Sequence, residues 1–165
     1  MDSQKQRQCW PSPLTRHELR QDDSLWSVYE TDLMNPNPHF DEGWWDRTKR
    51  LRRHRHFTFE SEGIEVARVM VKLDSQIFEG YLGLHAGAPA IELVFVEVHS
   101  DLRARFSGIG TSVVSSVSDL FHDTVFAKAD HGPGGFWKHL GWDEYPRTER
   151  PELGWRVFVR PERAI

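Results

Sequence analysis

The chain has 165 residues, 38% hydrophobic and 12% aromatic, enough apolar material for the core of one compact domain. Its formal net charge of −4, from 21 Lys and Arg against 25 Asp and Glu, argues against a dedicated polyanion binder. The single Cys9 cannot close an internal disulfide, no Cys/His spacing matches a metal site, and neither a signal-peptide core nor an apolar run of about 20 residues occurs, so a cytoplasmic protein without metal or membrane span is expected.

Residues 1–14 are polar and Pro-containing and read as a flexible N-terminal arm, leaving 15–165 as a single domain. Thr15 and Glu18 match a capping box, and Leu25, Trp26, Tyr29 and Leu33 follow at helical spacing until "NPNP", predicting a first helix broken near "QDDS". Asp41 can cap a second helix, "EGWWDRTKRLRRHRH" (42–56), with Trp44, Trp45, Thr48 and Leu51 on one face and Lys49, Arg50, Arg52 and Arg53 largely on the other. That basic face reads as solvated, which sets nucleic acid aside as an expected partner.

At Phe57 the period changes. "HFTFES", a turn at Glu62-Gly63 and "IEVARVMVKL" predict an antiparallel hairpin, and "APAIELVFVEV" (88–98) predicts a central strand. Residues 110 to about 122 carry Val113, Val114, Val117, Leu120 and Phe121 at helical spacing. A short strand "TVFAKA", a short helix "GGFWKHLG" closed by Gly141 and a last strand "GWRVFVR" complete the order.

Between the central strand and the Val-rich helix lies "RFSGIGTS" (105–112). A helix N-terminus has unpaired N–H groups and a partial positive charge, so it holds a phosphate if no side chain blocks the approach. Gly108 and Gly110 carry no Cβ, Arg105 adds a fork of cationic donors, and Ser107 and Thr111 add hydroxyls, so the segment reads as a pyrophosphate cradle. Taken alone, the six residues fit a plain turn equally well.

"IELVFVEVHSDLRARFSGIGTSVV", followed by "GFWKHLGW", resembles the GNAT superfamily of acetyl-CoA-dependent N-acetyltransferases. Its sharp motifs cover about 91–112 and 125–142, within an element order that matches over 57–160. The resemblance implies an α/β fold with a mixed, mostly antiparallel, splayed sheet and helices on both faces. It implies acetyl-CoA as co-substrate, with backbone contacts from Val96, Glu97 and Val98 to the pantetheine arm. The diphosphate would fall on Arg105, Ser107, Gly108, Ile109, Gly110 and Thr111. The loop "HSDLRA" is longer than in compact members, so Arg103 is included as well.

The same resemblance implies transfer to a primary amine by direct attack. Glu92 stands where many members carry a proton-accepting glutamate, and Glu97 is the second choice. Where the family often has a tyrosine that protonates the departing thiolate, this chain has Trp137. Tyr145 is the substitute donor, with His131 and His139 behind it, unless the thiolate leaves unprotonated. Asp130 takes the place of an Asn that often lies beside the pantetheine arm, and reads equally well as a cap of the following turn. A non-catalytic acyl-CoA-binding regulatory module and an RNA-contacting acetyltransferase are the alternatives; the acceptor and a homodimer are left open.

Overall fold

A computed structural model of the chain describes residues 7–19, 38–41, 53–77, 81, 87, 89–129, 135–148 and 156–162. The hairpin predicted from residue 57 is its clearest element. Strand β3 (His54–Ser61) turns at Glu62 and Gly63, both at positive φ (53° and 78°), into β4 (Ile64–Gln76). Two successive left-handed residues match the right-handed twist of the strands they join, and glycine carries the second at no steric cost. Phe57, Phe59, Val66, Val69, Met70 and Val71 are fully buried, each stabilising the fold by about 1.5–3 kcal/mol. Burial is unbroken over 56–59 and 66–71, so both faces of these strands are covered.

The N-terminal reading needs correction. Thr15–Leu19 is not the start of a helix but strand β2, antiparallel to β3 with Thr15 opposite Glu60 and Leu19 opposite His56. Glu18, expected to fold back as a capping-box residue, instead accepts both guanidinium arms of Arg55 at 2.7 and 2.6 Å. Tertiary pairing thus overrides a local capping signal. The span predicted for the second helix also overlaps β3, to which His54–His56 belong. The remainder of both predicted helices, with Trp44 and Trp45, lies outside the described residues.

Strand β5 (Pro89–Val98) follows the predicted span within one residue. Helix α1 (Ser100–Arg105), strand β6 (Phe106–Ser107) and helix α2 (Ile109–Ser118) come next. The N-terminal segment holds strand β1 (Gln8–Cys9), which pairs in parallel with β6. Helix α2 buries Ile109, Val113, Val114 and Val117 on one stripe and stops four residues short of the predicted end. Arg160 donates to the carbonyl of Ser118, an acceptor that the end of α2 leaves open, and to those of Phe121 and Asp123 in the connection beyond it.

Strand β7 (Val125–Ala129), helix α3 (Gly135–His139), strand β8 (Asp143–Tyr145) and strand β9 (Arg156–Val159) complete the chain. The main sheet runs β2-β3-β4-β5-β7-β9-β8. Strands β5 and β7 are parallel over Ile91–Leu93 and Val125–Ala127, while β9 is antiparallel to both β7 and β8. A parallel step needs a long crossover, and α2 lies within it.

The chain forms two units: residues 1–70 with 95–117, and residues 71–94 with 118–165. Within the second, Ile77, Ala90, Phe126, Val157 and Val159 form a core cluster against which Tyr81 and Tyr145 pack.

Candidate functional site

The cradle is more structured than a loop. Where "HSDLRA" was expected to be an extended connection, Ser100–Arg105 is helix α1, anchored by buried Leu102 and begun by Arg103 N–H donating to His99 O at 2.9 Å. Arg103 and Arg105 both fall in its last turn, two residues apart, and side chains at that spacing do not share a helix face. Arg105 lies with its guanidinium carbon 5.4 Å from the Phe106 ring centroid, next to the glycine turn. Arg103 is instead among the charges acting on Glu97.

Gly108 has φ +88°, which an L side chain adopts only with strain, and a Cβ built there would meet nothing within 4 Å. Backbone conformation fixes glycine here, and the space in front of it is open. The first intrahelical bond of α2 runs from Ser112 N–H to Gly108 O at 3.0 Å. The N–H groups of Ile109, Gly110 and Thr111 precede it and have no intrahelical acceptor, which is the arrangement that attracts an anion. Ile109 is 2% exposed, so its side chain anchors α2 in the core and only its backbone can face a ligand.

A feature absent from the sequence reading adjoins this turn. A cavity of about 430 Å³ lies between the N-terminal segment (Cys9, Trp10, Ser12, Pro13, Leu14) and Ser107, Gly108, Ile109, Ser112 and Ser116. Nothing local in "QCWPSPL" marks it, because its other wall is about a hundred residues away in the chain.

The two candidate carboxylates differ sharply. Glu92 is 8% exposed, with one oxygen 3.0 Å from Lys128 Nζ and the other accepting from the Ser75 hydroxyl at 2.8 Å. Glu97 receives the Asp41 backbone N–H at 3.0 Å, while its Oε2 is buried without a hydrogen-bond partner among the described residues. Burial pushes the Glu97 carboxyl above the usual carboxylate range, against the opposing pulls of the Asp41 amide, Arg68 and Arg103.

Two residues on, His99 stacks on His39 with ring centroids 3.9 Å apart, and Phe40 meets the His99 ring edge-on. Burial and His39 lower the His99 pKa, so its imidazole is neutral near pH 7. Sequence reasoning missed this pairing, since sixty residues separate the two rings. Val96 and Val98 are half-buried beside Glu97.

Trp137 packs into an aromatic group with Phe136, Trp142 and Phe158, at centroid distances of 5.0, 4.9 and 6.5 Å. Tyr145 pairs with Val157 and packs on the core cluster around Phe126. Asp130 and His131 lie outside the described residues; His139, at the end of α3, is exposed. Among the described residues, no helix is long and apolar enough to cross a membrane.

No family model matches the chain, and no curated protein matches it in sequence. Its fold, in contrast, has many counterparts. AtaT complexed with acetyl-methionyl-tRNAfMet superposes with a TM-score of 0.58 at 14% identity, covering 90% of this chain and 95% of that one. The histone acetyltransferase HPA2 and related acetyltransferase from Corynebacterium glutamicum gives 0.57 at 14% identity, covering 92% and 98%. The aminoglycoside N-acetyltransferase AAC(6′)-Iy in complex with CoA gives 0.53 at 13% identity, covering 84% and 93%. The fold is that of the GNAT acetyltransferases, as the motifs at 91–112 and 125–142 implied.

Proposed function

We propose that the protein is an N-acetyltransferase that moves the acetyl group of acetyl-CoA to a primary amine. The observation that carries this reading is the opening of α2. A left-handed Gly108 presents three successive backbone N–H groups, with Arg105 just before it, in a fold shared with acetyltransferases. These groups would hold the diphosphate of acetyl-CoA, and the backbone of Val96, Glu97 and Val98 would run alongside its pantetheine arm.

Glu97 takes the proton of the acceptor in this reading, in preference to Glu92. A base must have an unengaged lone pair; among the described residues Glu97 has an oxygen without a hydrogen-bond partner, and burial raises its pKa toward the proton-accepting side, whereas both Glu92 oxygens are engaged. Proton loss from the ammonium to Glu97 frees the nitrogen lone pair. The nitrogen attacks the thioester carbonyl, the tetrahedral intermediate collapses, and the C–S bond breaks to release CoA thiolate. A thiol ionises near pH 8.5 unaided, so departure as thiolate is accessible where Trp137 stands in for a tyrosine.

Acetyl-CoA binding by calorimetry, paired with thiol release over a panel of small amines, aminoglycosides and peptides, tests the reading. The expected result is saturable binding that Arg105→Glu weakens by about tenfold or more, together with release for at least one acceptor. Binding without release for any acceptor favours the non-catalytic module, and undiminished affinity in Arg105→Glu removes the cradle.

A further inference from the structure

We propose that the N-terminal segment, residues 8–16, is a strap that positions the diphosphate cradle: it aims the Gly108 amide and steadies Arg105, and Trp10 is the positioning residue on which both effects depend. This rests on the reading of 105–111 as that cradle.

A loop built on glycines binds an anion at an entropic cost, because Gly108 and Gly110 lose more backbone freedom on being fixed than other residues do. A second segment that already holds the loop in its binding conformation removes part of that cost. Strand β1 is placed to do so from outside the main sheet. It forms a two-stranded sheet with β6, with Gln8 opposite Phe106 and Cys9 opposite Ser107. Gln8 and Cys9 are both exposed, so this pairing adds little to the core, and its contribution is orientation.

The orientation is set at the peptide unit that joins Ser107 to Gly108. Trp10 N–H donates to Ser107 O at 3.2 Å, which holds that carbonyl toward the strap. Among the described residues no peptide bond is cis, and in a trans unit the carbonyl and the following N–H point in opposite directions. The Gly108 N–H is therefore aimed away from the strap, just before the φ of +88° turns the chain into α2.

Arg105 is tied in through Phe106. The Trp10 ring meets the Phe106 ring edge-on at 4.9 Å, and the Arg105 guanidinium carbon lies 5.4 Å from the same centroid. Trp10 and Phe106 are half-buried, while Arg105 and Gly108 are exposed. The ring pair is thus the anchor, and the groups that would face a ligand flank it.

The strap is stiff and fastened at its far end. Pro11 and Pro13 fix their own φ and keep Trp10 and Ser12 out of the helical region. Beyond them the Ser12 hydroxyl donates to Glu62 at 2.5 Å in the turn between β3 and β4, and Arg16 donates to the Ser116 hydroxyl of α2 at 2.9 Å. A ladder of two residues is marginal by itself, and these attachments hold it against the cradle.

Calorimetry of acetyl-CoA on the full chain provides the test. Trp10→Ala removes the ring that bears on Phe106 and is expected to weaken binding by about tenfold at unchanged stoichiometry. Trp10→Phe keeps a ring there and is expected to stay within about twofold of wild type. In an Arg105→Gln background, where the grip is already loosened, Trp10→Ala is expected to cost less than about threefold, because residues acting through one group are not additive. Undiminished affinity in Trp10→Ala, an equal loss on both backgrounds, no rescue by Trp10→Phe, or a fall in stoichiometry at unchanged affinity overturns the strap and leaves the cradle standing. A wild-type chain that does not bind acetyl-CoA, or an Arg105→Gln variant that binds it as tightly as wild type, overturns cradle and strap together.

Discussion

Glu92 and Glu97 sit five residues apart on one strand, and their surroundings predict opposite responses to the same substitution. Glu92→Gln takes the negative charge away from Lys128, whose side chain is only 22% exposed, and is expected to cost about 1–3 kcal/mol in urea unfolding. Glu97→Gln removes a carboxylate that burial disfavours. Because its folded pKa lies above the unfolded one, ionised Glu97 weakens the fold, and this penalty grows as pH rises through the folded pKa. Glu97→Gln should therefore raise Tm at pH 7.5 while greatly lowering thiol release and abolishing the acidic limb of kcat/KM. A purely structural glutamate would lower Tm and leave the pH profile intact. At Gly108, with φ +88°, alanine is expected to cost about 1–2 kcal/mol and to weaken acetyl-CoA binding, both measurable on one preparation.

Strand β3 carries a pH dependence of its own. His56 is 2% exposed, and burial, with His54 beside it, lowers its pKa from 6.5 to about 4. The unfolded chain binds this proton at higher pH than the folded one does, so stability falls as pH drops below about 6.5 and the loss is complete near pH 4. At pH 5 the loss is about 2 kcal/mol. Thermal melts from pH 7.5 to 4.5 should show the decline, and His56→Gln should flatten it.

The elements themselves were unevenly legible. The hairpin, β5, α2 and β9 could be read from residue periodicity because their burial is continuous or follows one stripe. Strand β2 could not, since Thr15–Leu19 is strand only through its pairing with β3. Helix α1 was hidden because six residues with one buried leucine are too few to display a period.

Across the whole molecule, ligand linkage provides the broadest check. A ligand that binds only the folded chain adds about 2.7 kcal/mol at a hundredfold excess over Kd, so acetyl-CoA should raise Tm by several degrees, and Arg105→Glu should abolish the rise at the same ligand concentration. The fold class was legible in the sequence through a resemblance: "IELVFVEVHSDLRARFSGIGTSVV" with "GFWKHLGW" following resembles a family whose implied fold is the one the solved acetyltransferases share. These signals are local, and local backbone geometry reads directly from glycine spacing and apolar period. Tertiary structure alone decided which of the two carboxylates has an oxygen without a hydrogen-bond partner among the described residues, that His39 stacks on His99, and that the N-terminal segment walls a cavity beside Gly108. Each of these depends on groups brought together from distant parts of the chain, and burial, charge pairing and pKa are properties of that company.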